Sequence, residues 1–217
     1  MNPFCKRNQL VALTLPELVI VLAALAIFAM ILLPSLARPK GPTLSGRCRN
    51  NLREVGLSFR VWAIDHNDKF PMQVSVTNGG TMEFVDRGTS SMHFLSLSNE
   101  LSTPKVLFCP SDSRPGPPTN FIYDFDSSKI SYFVGVGAAQ GNAMMILTGD
   151  RNITNGPGMR GGFLELLPHQ PAGWTHEMHA QHGNIGLTDG SVQLLSTPQL
   201  RKAITTAGVA TNRLAMP

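Results

Sequence analysis

Three groups of side chains in this sequence have types and spacings that invite chemistry. His169, His176, His179 and His182 fall close together and suggest a transition-metal site. The tetrad His176-Glu177-Met178-His179 is one residue short of the H-E-x-x-H zinc helix, and no cysteine lies near it in sequence. Asp65, Asn67 and Asp68 could ligate calcium through oxygen, but their loop lacks the glycine and terminal glutamate of an EF-hand. A polar turn closing a helix accounts for them. Neither ligand set is complete, so the sequence assigns no metal and no cofactor. Asp65, Asn67, Asp68, His176, His179 and His182 stay as candidates. The third group is Glu17, a lone carboxylate at the head of an apolar run. No nucleophile elbow, phosphate loop or paired-carboxylate site stands out, and the expectation is that the chain is not an enzyme.

Composition sets the frame for these groups. The 217 residues are 42% hydrophobic and only 15% charged, which suits one globular domain with an attached apolar segment. The net charge of +4 comes partly from Arg38, Lys40, Arg47, Arg49 and Arg53. Without interleaved aromatics this cluster does not indicate nucleic acid, whereas anionic lipid headgroups are a partner it suits.

The uncharged run Leu18–Ala37 reads as a bilayer-spanning or fibre-core helix, apolar on every face from Leu18 to Leu33. Glu17 at its mouth is then a functional residue by expectation, because a charge held at membrane depth is costly unless it is paired. Counting basic residues on either side, Lys6 and Arg7 against the five that follow, would place the C-terminal side in the cytoplasm. A second reading is a secretory signal peptide, with Lys6-Arg7 as its basic region and cleavage after Ser35-Leu36-Ala37. That alternative releases a ligand- or glycan-binding module beginning at Arg38.

Ala12 followed by Leu13-Thr14-Leu15-Pro16-Glu17 and the apolar run resembles the N-terminal signature of type IV prepilins and type II secretion pseudopilins. Here Ala12 and Leu13 stand where that family usually has Gly and Phe. The runs Cys48–Leu57, Asp65–Pro71, Cys109-Pro110-Ser111-Asp112 and Gly149-Asp150-Arg151-Asn152 extend the resemblance to the pilin-like proteins of planctomycete and verrucomicrobial bacteria. His179, nine residues, then Asp189-Gly190 matches the His-x9-Asp-Gly signature of that group.

The resemblance implies a structural subunit cut between Ala12 and Leu13 by a prepilin peptidase that also methylates the new amino terminus. It implies a single-pass inner-membrane precursor with its C-terminal domain in the periplasm or outside, contrary to the charge count. It further implies an inner-membrane assembly platform and other pilin-like subunits as partners, in a type II secretion pseudopilus or pilus-like filament. In such a filament Glu17 pairs with the Leu13 amine. Cys5 would leave with the leader, and an exported Cys48–Cys109 pair would be a disulfide; two buried free thiols are the other reading.

These readings give an α+β, pilin-like architecture. Residues 1–12 form the leader, 13–37 the hydrophobic helix, 38–46 a Pro/Gly-rich hinge, and 47–217 the globular domain. Within it Cys48, Leu52, Val55, Phe59 and Trp62 recur at helical spacing, the buried stripe of an amphipathic helix lying under an antiparallel sheet. Val74–Val76 and Met82–Phe84 flank Asn78-Gly79-Gly80 and read as a hairpin. Phe94–Leu101 reads as a short helix, and Ser131–Val136 and Met144–Leu147 as strands. Ile185 and Leu187, then Val192 and Leu194, alternate about Asp189-Gly190, a two-residue hairpin turn with positive φ at both positions. A short helix opens at Thr197-Pro198 and stops by Gly208.

Overall fold

The computed structural model describes residues 15–36 and 43–217. It divides into two compact units, Met1–Gly41 and Pro42–Pro217.

The first unit contains helix α1, Leu15–Leu36, with Glu17 in its opening turn. The expected transmembrane helix is corrected here: among the described residues, no helix is long and apolar enough to cross a membrane. The single-pass inner-membrane placement and the membrane-lipid partner lose their footing with it. The cleavage pair Ala12 and Leu13 lies outside the described residues, as does most of the hinge.

The second unit begins earlier than its sequence boundary. Helix α2 runs Leu44–Ile64, and Thr43 caps it by accepting from the Gly46 amide. Its buried stripe is Cys48, Leu52, Val55, Phe59 and Trp62, as the spacing predicts. Asn67 and Asp68 take left-handed φ of 55° and 56° beyond its end, where the Asp68 amide caps the Ala63 carbonyl.

The predicted hairpin over 74–84 is absent. Three 3₁₀ turns, Pro71–Gln73, Val76–Asn78 and Met82–Phe84, take its place. The Glu83 carboxylate accepts from the Ser75 hydroxyl and the Val76 amide, so side-chain bonds hold groups that a strand ladder would need. Helix α3 covers Ser90–Leu95, four residues ahead of the predicted segment.

Strands β1 (Tyr132–Gly135), β2 (Ile146–Asp150), β4 (Phe163–Leu166), β6 (His182–Leu187), β7 (Val192–Ser196) and β8 (Asn212–Ala215) form one sheet. Its order is β4-β8-β1-β2-β6-β7, and every pairing is antiparallel. Strands β3 (Ile153–Thr154) and β5 (Gly173–Trp174) pair separately. The α+β class with an antiparallel sheet therefore stands, but the pilin-like architecture is corrected: this six-stranded sheet is larger than a pilin's. Its breadth comes from the C-terminal strand β8, which inserts between β4 and β1 and which the sequence reading left without an element.

Successive residues of the central strands feed two cores. Tyr132, Val134 and Leu147 join the α2 stripe, while Phe133 and Ile146 pack with Leu200 and Ile204 of helix α4, Thr197–Thr206. Ser196 and Gln199 make the capping box that starts α4.

The interior of this sheet tolerates little extra volume. A methyl group at Gly149 of β2 would lie 2.6 Å from the Phe133 ring and 2.8 Å from the Asn184 carbonyl oxygen. Gly149→Ala is expected to destabilise the domain by about 1–3 kcal/mol. A lowered urea midpoint at unchanged slope is the result to look for, and an unchanged midpoint would show that Phe133 swings aside at no cost.

Candidate functional site: a buried disulfide–histidine–carboxylate centre

The sequence strings around residues 48, 109, 150 and 179 meet in one buried place. α2 supplies Cys48, and Cys109 follows the 3₁₀ turn Pro104–Leu107. The two are joined by a disulfide with Cα atoms 4.8 Å apart, and neither residue is exposed. The Asn51 side chain donates to the Phe108 carbonyl at 3.0 Å, and the Tyr132 hydroxyl donates to the Cys48 carbonyl at 3.3 Å.

His179 sits against this bond. Its Nε2 lies 3.3 Å from Cys109 Sγ, 3.4 Å from Asp150 Oδ2 and 3.5 Å from Asn184 Nδ2. Burial lowers the pKa of this imidazole, and the nearby His182 adds to the effect. Delivering the ring there requires unusual backbone: His179, Ala180 and Gln181 all take left-handed φ, at 52°, 48° and 65°. Each such residue is strained by about 1–2 kcal/mol, so the conformation must be over-determined by its surroundings. Asn152 does part of this, its side-chain amide donating to the carbonyls of Thr175, Met178 and His182.

Asp150 ends β2 wholly buried. Its Oδ2 accepts from the Asn184 backbone amide at 2.6 Å and from the Asn184 side chain at 2.8 Å. Burial pushes its pKa up to about 7; the Asn184 donors oppose this and the charge of Asp112 reinforces it.

Beside the centre is a buried ion cluster. Asp112, with no exposed side-chain surface, accepts from Nε and Nη2 of Arg151, both at 2.8 Å. It also accepts from Arg114 and from the Ser131 hydroxyl. Burial alone would raise the Asp112 pKa, but the hydrogen bonds from Arg151, Arg114 and Ser131 outweigh it and hold the carboxyl well below the usual range.

A group with a depressed folded pKa adds stability above its unfolded pKa, near 3.9, and that stability is lost as pH falls below it. The domain is therefore expected to lose stability steeply below about pH 4. Urea titrations from pH 5 to pH 2 should show a shallower dependence in Asp112→Asn; an equal slope in both proteins would remove Asp112 as the acid-sensitive group.

The structure separates the ends of the His-x9-Asp-Gly signature. His179 precedes β6 and Asp189 follows it, with the strand between them. The turn is not the predicted two-residue type. Leu187 and Ser191 bracket Thr188-Asp189-Gly190, and of these only Gly190 has positive φ, at 87°. α2 touches both ends: Cys48 through the disulfide beside His179, and Arg60 by donating to the Asp189 carbonyl at 3.0 Å.

No family model, curated protein or solved structure matches the chain. The pilin-like resemblance rests on its sequence motifs alone.

Of the metal candidates, only His179 enters a convergent group. Among the described residues, the only set of three or more His, Cys, Asp or Glu side chains able to hold an ion is Cys48, Cys109 and His179. His176 instead meets Gln181, His182 approaches the Ala180 carbonyl, and Asp65, Asn67 and Asp68 form the turn after α2. Sequence reasoning quoted Asp112, Asp150, Arg151 and Asn152 within longer strings but gave them no role, and it missed Asn184. A cluster of Asp, Arg and Asn around apolar strands is the signal that could have marked them. As it stands, the centre is a fastening that joins α2, the Cys109 segment, β2 and the loop before β6.

Proposed function

We propose that the chain is a structural subunit that assembles into a pilus-like filament through α1. The observation that carries this reading is the surface of α1, where Leu15, Phe28 and Met30 are 78%, 64% and 74% exposed. A surface helix of a monomer has a polar face; one apolar all round needs burial against other elements. Identical helices from neighbouring subunits provide it by close side-chain packing. Glu17 lies in the first turn of α1, where the positive end of the helix dipole favours a carboxylate. In the filament it would pair with the amino group that cleavage creates at Leu13, setting the register between subunits.

The buried centre suits a load-bearing subunit, because a covalent link and an ion cluster tie segments far apart in sequence. Isolation of filaments from the native host, followed by N-terminal sequencing of the subunit, tests the reading. A chain beginning at Leu13 within filaments is the expected result. A chain found only as a monomer beginning at Arg38 would overturn it in favour of a secreted binding module.

A further inference from the structure

We propose that Cys48, Cys109 and His179, with Asp150 as fourth donor, become a zinc site when the Cys48–Cys109 bond is reduced. This inference is independent of filament assembly. The ligand atoms of the two cysteines and His179 all lie within 4.8 Å of one another. A tetrahedral zinc ion with bonds of about 2.3 Å to sulfur and 2.0–2.2 Å to nitrogen and oxygen has an S···N edge of about 3.5 Å and an N···O edge of about 3.4 Å. The corresponding separations here are 3.3 Å, from His179 Nε2 to Cys109 Sγ, and 3.4 Å, from Nε2 to Asp150 Oδ2. Two edges of the polyhedron therefore exist before any metal arrives.

A second observation points the same way. Asp150 Oδ1 is buried without a hydrogen-bond partner, although the other oxygen of the same carboxylate accepts twice. A buried carboxylate with one oxygen left without a partner is costly to keep charged, and a dication bound at Oδ2, the oxygen facing His179, would offset that charge. Asn184 already holds that carboxylate in orientation, the supporting role that outer groups play around metal ligands. The donor set of two thiolates, an imidazole and a carboxylate suits zinc over calcium or magnesium.

Reduction is what converts the fastening. With a phosphine as reductant, the S–S bond breaks as phosphorus donates its electron pair. Water then supplies the oxygen of the phosphine oxide, and its two protons end on the sulfurs. Zinc displaces both thiol protons and forms two Zn–S bonds, the thiolate charges balancing the dication. The sulfurs then part to about 3.8 Å, the S···S edge of the same tetrahedron. While the disulfide is intact, neither sulfur carries the thiolate charge that binds the metal.

The test uses the full chain in a Cys5→Ser background, treated with a water-soluble phosphine without oxygen and titrated with cobalt(II) as a spectroscopic stand-in for zinc. One cobalt per chain is expected, with the intense visible bands of a tetrahedral ion and thiolate-to-cobalt charge transfer, all bleached by added zinc. The unreduced chain should show none of this. Cys48→Ser and His179→Ala should each weaken cobalt binding at least tenfold. If reduction unfolds the chain, zinc should restore its far-ultraviolet circular dichroism, and failure to restore it overturns the proposal. So does a folded reduced chain that binds no cobalt, or an identical cobalt spectrum and affinity in both variants.

Discussion

Leu22→Lys is expected to eliminate filaments while leaving the melting temperature of the Pro42–Pro217 unit unchanged. Leu22 lies within α1, is 56% exposed, and belongs to a helix whose one ionisable residue is Glu17. If α1 packs against its copies, each subunit would bury a lysine with no partner. Burying an uncompensated charge costs about 3–5 kcal/mol. At 1.4 kcal/mol per factor of ten, that lowers each association constant by at least a hundredfold, and the loss recurs at every subunit added. Leu22→Met, which keeps shape and polarity, should assemble normally. Electron microscopy and sedimentation of the variants are the measurements. Normal filament yield from Leu22→Lys would show that α1 is not the assembly surface.

Asp112→Ala is expected to lower the melting temperature by roughly 10 °C. Removing one partner from a buried ion pair typically costs about 3–5 kcal/mol, because the other charge is left buried alone. For a domain of 150–250 residues each kcal/mol shifts the melting temperature by about 2–4 °C. Arg151 is the partner most affected: at 15% side-chain exposure it would keep only its pair with Glu177, a carboxylate 56% exposed and so a weaker compensation. Arg114, at 22%, loses the same carboxylate and also donates to the Ile130 carbonyl. The comparison is Asp86→Ala. Asp86 pairs with Arg213 at a similar 2.8 Å but is 79% exposed, so solvent screens the pair and the shift should vanish within error. Similar shifts from both substitutions would mean that burial does not govern these pairs.

The two substitutions probe the two units separately. The first unit carries the proposed contact with other copies. The second depends on a core split between the two faces of its sheet, with the charged and covalent ties gathered where α2, β2 and the loop before β6 meet.

Local patterns were legible in the sequence because they arise within a few residues. The stripe Cys48, Leu52, Val55, Phe59 and Trp62 follows from 3.6 residues per turn and needs no knowledge of what covers it. The strands around Asp189-Gly190 and the start of α4 at Thr197-Pro198 were readable for the same reason. The 74–84 segment was misread because Glu83, seven residues from Val76, captures groups that alternation alone would assign to a ladder. Apolarity over Leu18–Leu33 was equally plain, yet among the described residues no helix is long and apolar enough to cross a membrane.

What only the tertiary structure decided is which distant groups share one dry space. Asp112 meets Arg151 across 39 residues, Asp150 meets Asn184 across 34, and Cys109 meets His179 across 70. No period or spacing encodes these meetings, because they depend on the order in which the strands lie in the sheet. Burial then sets their strength: it raises Asp150, overcomes nothing at Asp112 with its six donor contacts, and makes each pairing matter. The sequence by itself thus determined the α2 stripe, the strands about Asp189-Gly190 and the start of α4, since side-chain periodicity is a local property. The buried centre belongs to the tertiary structure, since desolvation requires segments from the whole chain to close over it.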